Sequence, residues 1–344
     1  MTIKTEKIIL NEERNVQLTA MVQDVGGEFG NVLARPAVLI LPGGGYAMCS
    51  DREAEVIAYS YLNQGYHAFV LRYSVAEHKA WPNPLEDYEQ AMDLLEVNAQ
   101  TWHILTDKIA VIGFSAGGHL AACAATLAKH RPAAAILGYA ALSKALAEAC
   151  QPNSGIPSPI DHVDGHTCPC FLFAARDDST VPLTGMLDFE RKLYDYGIQF
   201  ESHIYAYGGH GFGTGLSSIS TGVCNRVPNW TSDSIGWLED VLGELEVSGM
   251  KAPRCAPKVN GNGEEYLSLD CTLEYLRKQP QAEQVLAEVF TEIDNIIAAR
   301  FPNSTIAAGI IYAMKLRELL SLLSMSKEEL IDLSERLNAI RNEA

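Results

Sequence analysis

The apolar positions of this chain fall into short, nearly continuous runs, separated by stretches where they recur every three or four residues. The runs are PAVLILP (36–42), HAFVLRYS (67–74), KIAVIGF (108–114), AAAILGYA (133–140), CPCFLFAA (168–175) and FESHIYAY (200–207). Several are apolar almost throughout, the pattern of parallel strands covered on both faces. Two further strands, KTEKIIL (4–10) and VQLTAMVQ (16–23), have no helix between them and read as an antiparallel edge. Helical segments are expected at 51–65, 84–102, 116–130, 183–197 and 229–245. Strands alternating with helices predict a doubly wound, mostly parallel α/β sheet.

The pattern changes near residue 247. Residues 247–265 are rich in Gly, Pro, Asn and Lys and read as a linker between a domain over 1–246 and a second over 266–344. Beyond it every signal is helical. Val285, Leu286, Val289, Phe290, Ile293, Ile296 and Ile297 form one stripe, and Leu330, Leu333, Leu337 and Ile340 another. Ser326 followed by Glu329 is a capping-box signature. A small all-α bundle of about four helices is expected there.

Composition narrows the function classes. The 344 residues carry a formal net charge of −17, which argues against nucleic acid and anionic membranes as partners, since both reward clustered Lys and Arg. The first residues hold no apolar core of signal-peptide length, and no apolar run is long enough to span a membrane. Eight scattered cysteines with no CxxC pair read as reduced thiols, and together these features place the protein in the cytoplasm. Cys168 and Cys170 stand at CxC spacing in a strand-like run, and no metal is expected there.

The candidate chemistry centres on GFSAGGHL (113–120), between the run KIAVIGF and a helical pattern. A serine hydroxyl is a weak nucleophile unless a base takes its proton during attack. The G-x-S-x-G spacing at a strand-to-helix junction lets the chain turn sharply and project Ser115 from the strand end. The base is expected later in the chain. His210, in YGGHGF after the last strand-like run, has glycine on both sides and suits a loop side chain reaching into a site. His119 is expected to pack beneath the site, His203 lies within a strand, and His162 and His166 lie in a polar loop. The orienting acid is expected in ARDDSTVP (175–182), at a strand's C-terminal end. Either Asp177 or Asp178 can serve, the other capping the turn or the following helix; the spacing to Val181-Pro182 favours Asp178. LPGGGYAM (41–48) follows another strand, and its glycines let backbone N–H groups approach a developing negative charge. Gly43 or Gly44 is expected to supply one such donor and Ala116 the other. GGGY matches neither a P-loop nor a dinucleotide fingerprint.

With these pieces in order, the chain resembles serine hydrolases of the α/β-hydrolase fold. Within them it resembles the esterase branch related to hormone-sensitive lipase, and there the bacterial acetyl esterases of acetylxylan-esterase type. LPGGGY, VLRYSV, NPLEDYEQAMDLL, DKIAVIGFSAGGHLAA, DDSTVPL and HIYAYGGHGFGTG carry the resemblance over roughly residues 35–245. Many relatives have His-Gly-Gly-Gly in the first motif where this chain has Pro42. The resemblance implies a Ser115–His210–Asp178 triad, no metal or organic cofactor, and a small-molecule ester substrate, with acetylated xylo-oligosaccharide favoured. Tyr46, Tyr73, Trp81 and Trp230 are candidates to line a sugar-stacking cleft, with core packing as the alternative for each. Two rival readings are a peptidase of the prolyl-oligopeptidase type and a binding protein acting through the helical tail. The tail resembles a C-terminal module of some bacterial carbohydrate-active hydrolases; its role, and assembly into a homo-oligomer, are left open.

Overall fold

Eight strands form one sheet in the computed structural model of the chain, which describes residues 2–151, 155–302, 304–323 and 325–342. The chain divides into two compact units. The first comprises Met1–Val163, Thr167–Tyr194 and Gln199–Pro257, and the second Asp164–His166, Asp195–Ile198 and Lys258–Ala344.

The first unit begins with β1 (Ile3–Asn11), β2 (Val16–Gln23) and β3 (Arg35–Leu41). Then follow α1 (Glu55–Leu62), β4 (His67–Arg72), α2 (Asn83–Val97), α3 (Ala99–Trp102) and β5 (Ile104–Phe114). The later elements are α4 (Ala116–Leu127), β6 (Ala134–Gly138), α5 (Lys144–Cys150), β7 (Cys170–Ala175), α6 (Thr184–Asp195), β8 (Phe200–Tyr205) and α7 (Asn229–Leu242). The strand order is β1-β2-β4-β3-β5-β6-β7-β8. β1 and β2 pair antiparallel, β2 meets β4 antiparallel, and all remaining pairs are parallel. Every residue of β3, β6 and β7 is buried, as their unbroken apolar runs require. β1 is the exposed edge and presents Lys4, Glu6 and Lys7, charges that discourage pairing with another strand.

The connection from β3 to β4 runs toward β2, whereas the connection from β4 to β5 returns past β3. Right-handed crossovers therefore put α1 and α2 on opposite faces. The loops leaving β3 and β5 part company at this point, opening a crevice at the strands' C-terminal ends. Leu41 is level with Gly113 across the β3–β5 pair, and Phe114 is level with Gly138 across β5–β6. That register starts the glycine loop and the Ser115 turn side by side.

Several boundaries differ from the sequence reading. The expected helix over 51–65 is a 3₁₀ turn at Asp51–Glu53 followed by α1. The one over 84–102 breaks at Asn98, and His103 ends its second piece with a left-handed φ of 54°. α5 was not anticipated. Residues 247–257, expected within a linker, remain with the first unit. There β9 (Leu245–Glu246) and β10 (Gly249–Met250) form a small hairpin. Arg254 then pairs with Asp240 and Glu244 at 2.9 Å each, and the N–H groups of Arg254 and Cys255 donate to the Asp240 carbonyl. Gly and Pro content suggested a free segment; these ion pairs and backbone bonds tie it to the end of α7.

The second unit contains α8 (Leu273–Arg277), α9 (Pro280–Arg300), α10 (Thr305–Ala313), α11 (Leu316–Leu320) and α12 (Lys327–Asn338). Its core gathers Leu286, Val289, Phe290 and Ile293 from α9, Leu316, Leu319 and Leu320 from α11, and Leu333 and Leu337 from α12. Five helices rather than four are present among the described residues, because α8 and α11 are only five residues long and leave little periodic signal. The capping box forms as expected: Ser326 Oγ accepts the Glu329 N–H, and Glu329 accepts the Ser326 N–H.

Candidate active site

Ser115 stands between β5 and α4 with φ 51° and ψ −116°, a backbone conformation costly for a residue with a Cβ. Its N–H donates to the Gly138 carbonyl at 3.0 Å, and its carbonyl accepts from Ala141 and from His119 one turn into the helix. The flanking glycines are sterically required. A Cβ at Gly113 would strike the Gly117 carbonyl, and one at Gly117 would strike the carbonyls of Leu41 and Pro42. α4 can thus pack directly on the sheet, and all its residues except Leu127 are buried.

His210 Nε2 lies 2.9 Å from Ser115 Oγ, and His210 Nδ1 lies 2.7 Å from Asp178 Oδ2. The Asp178 side chain is fully buried and that of His210 is 19% exposed. The other oxygen of Asp178 accepts the N–H groups of Thr180 and Val181, both at 2.9 Å. Burial alone would raise the Asp178 carboxyl. Hydrogen bonds from His210, Val181 and Thr180, with the charge of a protonated His210, outweigh it and hold the group below the usual carboxylate value. Asp177 has a different place: its Oδ1 accepts the N–H groups of Gly208 and Gly209 at 2.9 Å, tying down the loop that carries His210. An acceptor at Nδ1 fixes the neutral imidazole with its proton on Nδ1 and its lone pair toward Ser115.

The glycine loop after β3 lies against this group. A Cβ at Gly43 would stand 3.0 Å from the Ser115 Cβ. Gly43, expected alongside Gly44 as a free donor, is already engaged: its N–H donates to Glu53 Oε2 at 2.9 Å. The N–H groups of Gly44 and Ala116 donate to no protein acceptor among the described residues. Glu53 gave no sign in the sequence, where DREAE reads as the charged start of a helix. It is 3% exposed and also accepts the Tyr139 hydroxyl. The sequence could have signalled it only by placing a carboxylate ten residues after a glycine triplet, a weak cue.

The aromatic expectation fails for three of its four residues. Tyr46 and Tyr73 are 1% exposed and Trp230 is fully buried. Each has its polar tip satisfied internally: Tyr73 donates to the Pro42 carbonyl, Trp230 donates to the Gly213 carbonyl, and Tyr46 meets His119 Nδ1 at 2.7 Å. Trp230 also stacks on Phe173. They support the site from within and offer no face to a sugar. Trp81 alone of the four is half-buried. Buried His119 gives its Nε2 proton to the Pro157 carbonyl, so its Nδ1 accepts from Tyr46. His203 bonds Glu201, and His162 and His166 are exposed. No group of three or more His, Cys, Asp or Glu side chains suited to a metal ion occurs among the described residues.

A mostly parallel sheet whose C-terminal ends bring together a strained serine, a histidine and an aspartate is the architecture of an α/β hydrolase. Comparison with known proteins agrees. A profile of the BD-FAE family matches residues 30–154, which include the glycine loop and Ser115. An endo-1,4-beta-xylanase B of Butyrivibrio fibrisolvens is 31% identical over 212 residues, 52% of this chain and 32% of that protein. An acetylxylan esterase of Xylanibacter ruminicola is 31% identical over 199 residues, 52% of this chain and 41% of that protein. The chain thus spans less than half the length of either relative. Among solved structures, an α/β hydrolase enzyme from a Medee basin deep-sea metagenome library is 46% identical, with a TM-score of 0.65, over 70% of this chain and 98% of its own. The chain belongs to the α/β-hydrolase family.

Proposed function

We propose that the protein is a serine carboxylesterase that removes short acyl groups, acetyl above all, from esters of small carbohydrates such as xylo-oligosaccharides. The observation that carries this reading is the unbroken relay from Ser115 Oγ through His210 to buried Asp178. The likeness to an acetylxylan esterase supports the choice of acyl group and alcohol.

In the proposed reaction, Ser115 Oγ attacks the ester carbonyl while its proton passes to His210 Nε2. The carbonyl π electrons move onto oxygen, and the N–H groups of Gly44 and Ala116 bind the resulting oxyanion. Asp178 stabilises the imidazolium without itself taking the proton. The tetrahedral intermediate collapses, the C–O bond to the alcohol breaks, and His210 protonates the leaving oxygen. Water then enters, gives its proton to the same nitrogen and attacks the acyl-enzyme. Collapse of the second intermediate releases the acid and returns the proton to Ser115. The chain's own groups supply every proton transfer. Eight free thiols favour a reducing compartment such as the cytoplasm.

The test is hydrolysis of p-nitrophenyl acetate, butyrate and octanoate, with Ser115→Ala alongside. The expected result is turnover that falls with chain length and drops by at least about 10⁴-fold in the variant. Acetylated xylo-oligosaccharides should then release acetate. Absence of serine-dependent turnover of any ester would overturn the reading, and cleavage of prolyl peptides in its place would identify a peptidase.

A further inference from the structure

The two carboxyl oxygens of Glu53 hold two loops that come from distant parts of the sequence. Oε2 accepts the Gly43 N–H at 2.9 Å, in the loop after β3. Oε1 accepts the Tyr139 hydroxyl at 2.5 Å, just beyond β6. The Tyr139 oxygen in turn accepts the N–H of Gly213 at 3.0 Å, three residues past His210. The Tyr139 ring meets the His210 imidazole edge-on, with centroids 5.1 Å apart. Tyr139 itself sits at φ 34°, a strained backbone conformation that persists only where its surroundings enforce it.

The ends of this chain favour one direction for its protons. Both terminal groups are backbone N–H donors, and neither can accept. Tyr139 gives its proton to Glu53 while its oxygen accepts from Gly213, and a carboxylate at Glu53 satisfies every donor in the chain. Burial raises the Glu53 carboxyl above its usual value, and the bonds from Tyr139 and Gly43 offset only part of that rise. A carboxyl group kept in so dry a place, with both its donors on loops beside the serine, does more than fill space.

We propose that Glu53, acting through Tyr139, is a positioning residue that clamps the Gly43–Gly45 loop and the His210 loop in one relative arrangement. Three successive glycines leave the first loop wide conformational freedom. The Pro42 carbonyl is held by Tyr73 and the Gly43 carbonyl by the Ser50 N–H, but the Gly43 N–H has Glu53. Fixing that peptide plane orients the next one, whose Gly44 N–H is the donor assigned to the oxyanion. Through Tyr139 and Gly213 the same carboxylate sets how close His210 stands to Ser115. The catalytic consequence rests on the esterase reading; the mechanical coupling of the two loops does not.

The test uses the full chain with Glu53→Gln and Tyr139→Phe, singly and together. A glutamine has the same shape, but its NH₂ either confronts the Gly43 N–H or leaves the Tyr139 proton without its acceptor. For p-nitrophenyl acetate, kcat should fall roughly 10- to 100-fold with KM nearly unchanged, the cost of a slightly misplaced site. The two substitutions should be non-additive, the double variant matching the weaker single one, because they break one device. Hydrogen–deuterium exchange should speed up at 42–46 and 211–216 together in either variant. Exchange that rises in only one loop, or in neither, would overturn the clamp. So would additive losses, or an unchanged kcat with both loops loosened. If Glu53→Gln does not fold, Tyr139→Phe carries the same exchange and kcat measurements. If the unmodified protein hydrolyses no ester, the esterase reading falls, and the exchange pattern still decides the clamp.

Discussion

Adjacent aspartates, Asp177 and Asp178, have different partners. Asp178 faces the imidazole, whereas Asp177 accepts two glycine N–H groups of the loop behind it. Asp178→Asn should lower kcat about 10³- to 10⁴-fold, because the amide favours the wrong imidazole tautomer. Asp177→Ala should cost at most about tenfold, since exposed N–H groups can turn to water for a partner. Steady-state rates of the two variants check this, and a reversed order would reassign the acid. At this scale the sequence is informative where chemistry forces a local pattern. The glycines around Ser115 follow from a turn that admits no Cβ at Gly113 or Gly117. It is uninformative where partners are distant. Nothing near Glu53 announces that it will meet Tyr139, 86 residues on. Tyr46, Tyr73 and Trp230 mislead for a related reason: a ring with one polar tip suits a wet cleft, and equally a core that supplies one acceptor.

Elements were legible in proportion to how much of their pattern is local. The parallel strands declare themselves because both faces are buried, so each is a solid apolar run. The capping box of α12 needs only residues three apart, and it forms. Ser326→Ala should destabilise the helical unit by about 1 kcal/mol, readable as a lower melting midpoint for α12 amide protection. A shift of less than a few tenths would mean that packing of Leu333 and Leu337 alone sets the helix. By contrast α8 and α11 are too short for periodicity, and the β9–β10 hairpin pairs two residues with two. The docking of 251–255 on the end of α7 depends on ion pairs to Asp240 and Glu244 that composition cannot reveal.

The response of the whole molecule to acid follows from two buried imidazoles that take no part in the proton transfers of the reaction. His67 and His119 both give Nε2–H to a carbonyl and accept at Nδ1, His67 from the Gln23 N–H and His119 from Tyr46. A proton on Nδ1 of His67 would face a backbone donor that cannot turn. Burial lowers both groups from 6.5 to about 4. Between those limits the unfolded chain binds protons that the folded one refuses, so stability falls as pH falls. The loss begins near pH 6.5, is complete near pH 4, and amounts to roughly 3 kcal/mol for each histidine. The depressed Asp178 adds a further loss only below the ordinary carboxylate value, as the pH drops through its lower folded one. Calorimetry from pH 7 to 4.5 should record a steady decline in melting temperature. A flat profile would mean that the fold accommodates both protons.

The tight seat of α4 limits how this protein can change. Its glycines touch the carbonyls of Leu41 and Pro42 and the methyl of Ala140, so no larger side chain fits between helix and sheet. Selection for bulkier substrates, in nature or in the laboratory, cannot hollow the floor beneath the serine. Such variation must come from the rim, where Met48, Tyr207 and Leu216 are exposed on the loops after β3 and β8. Libraries restricted to those loops should yield altered acyl preferences, while libraries in 113–125 should yield mostly unfolded chains.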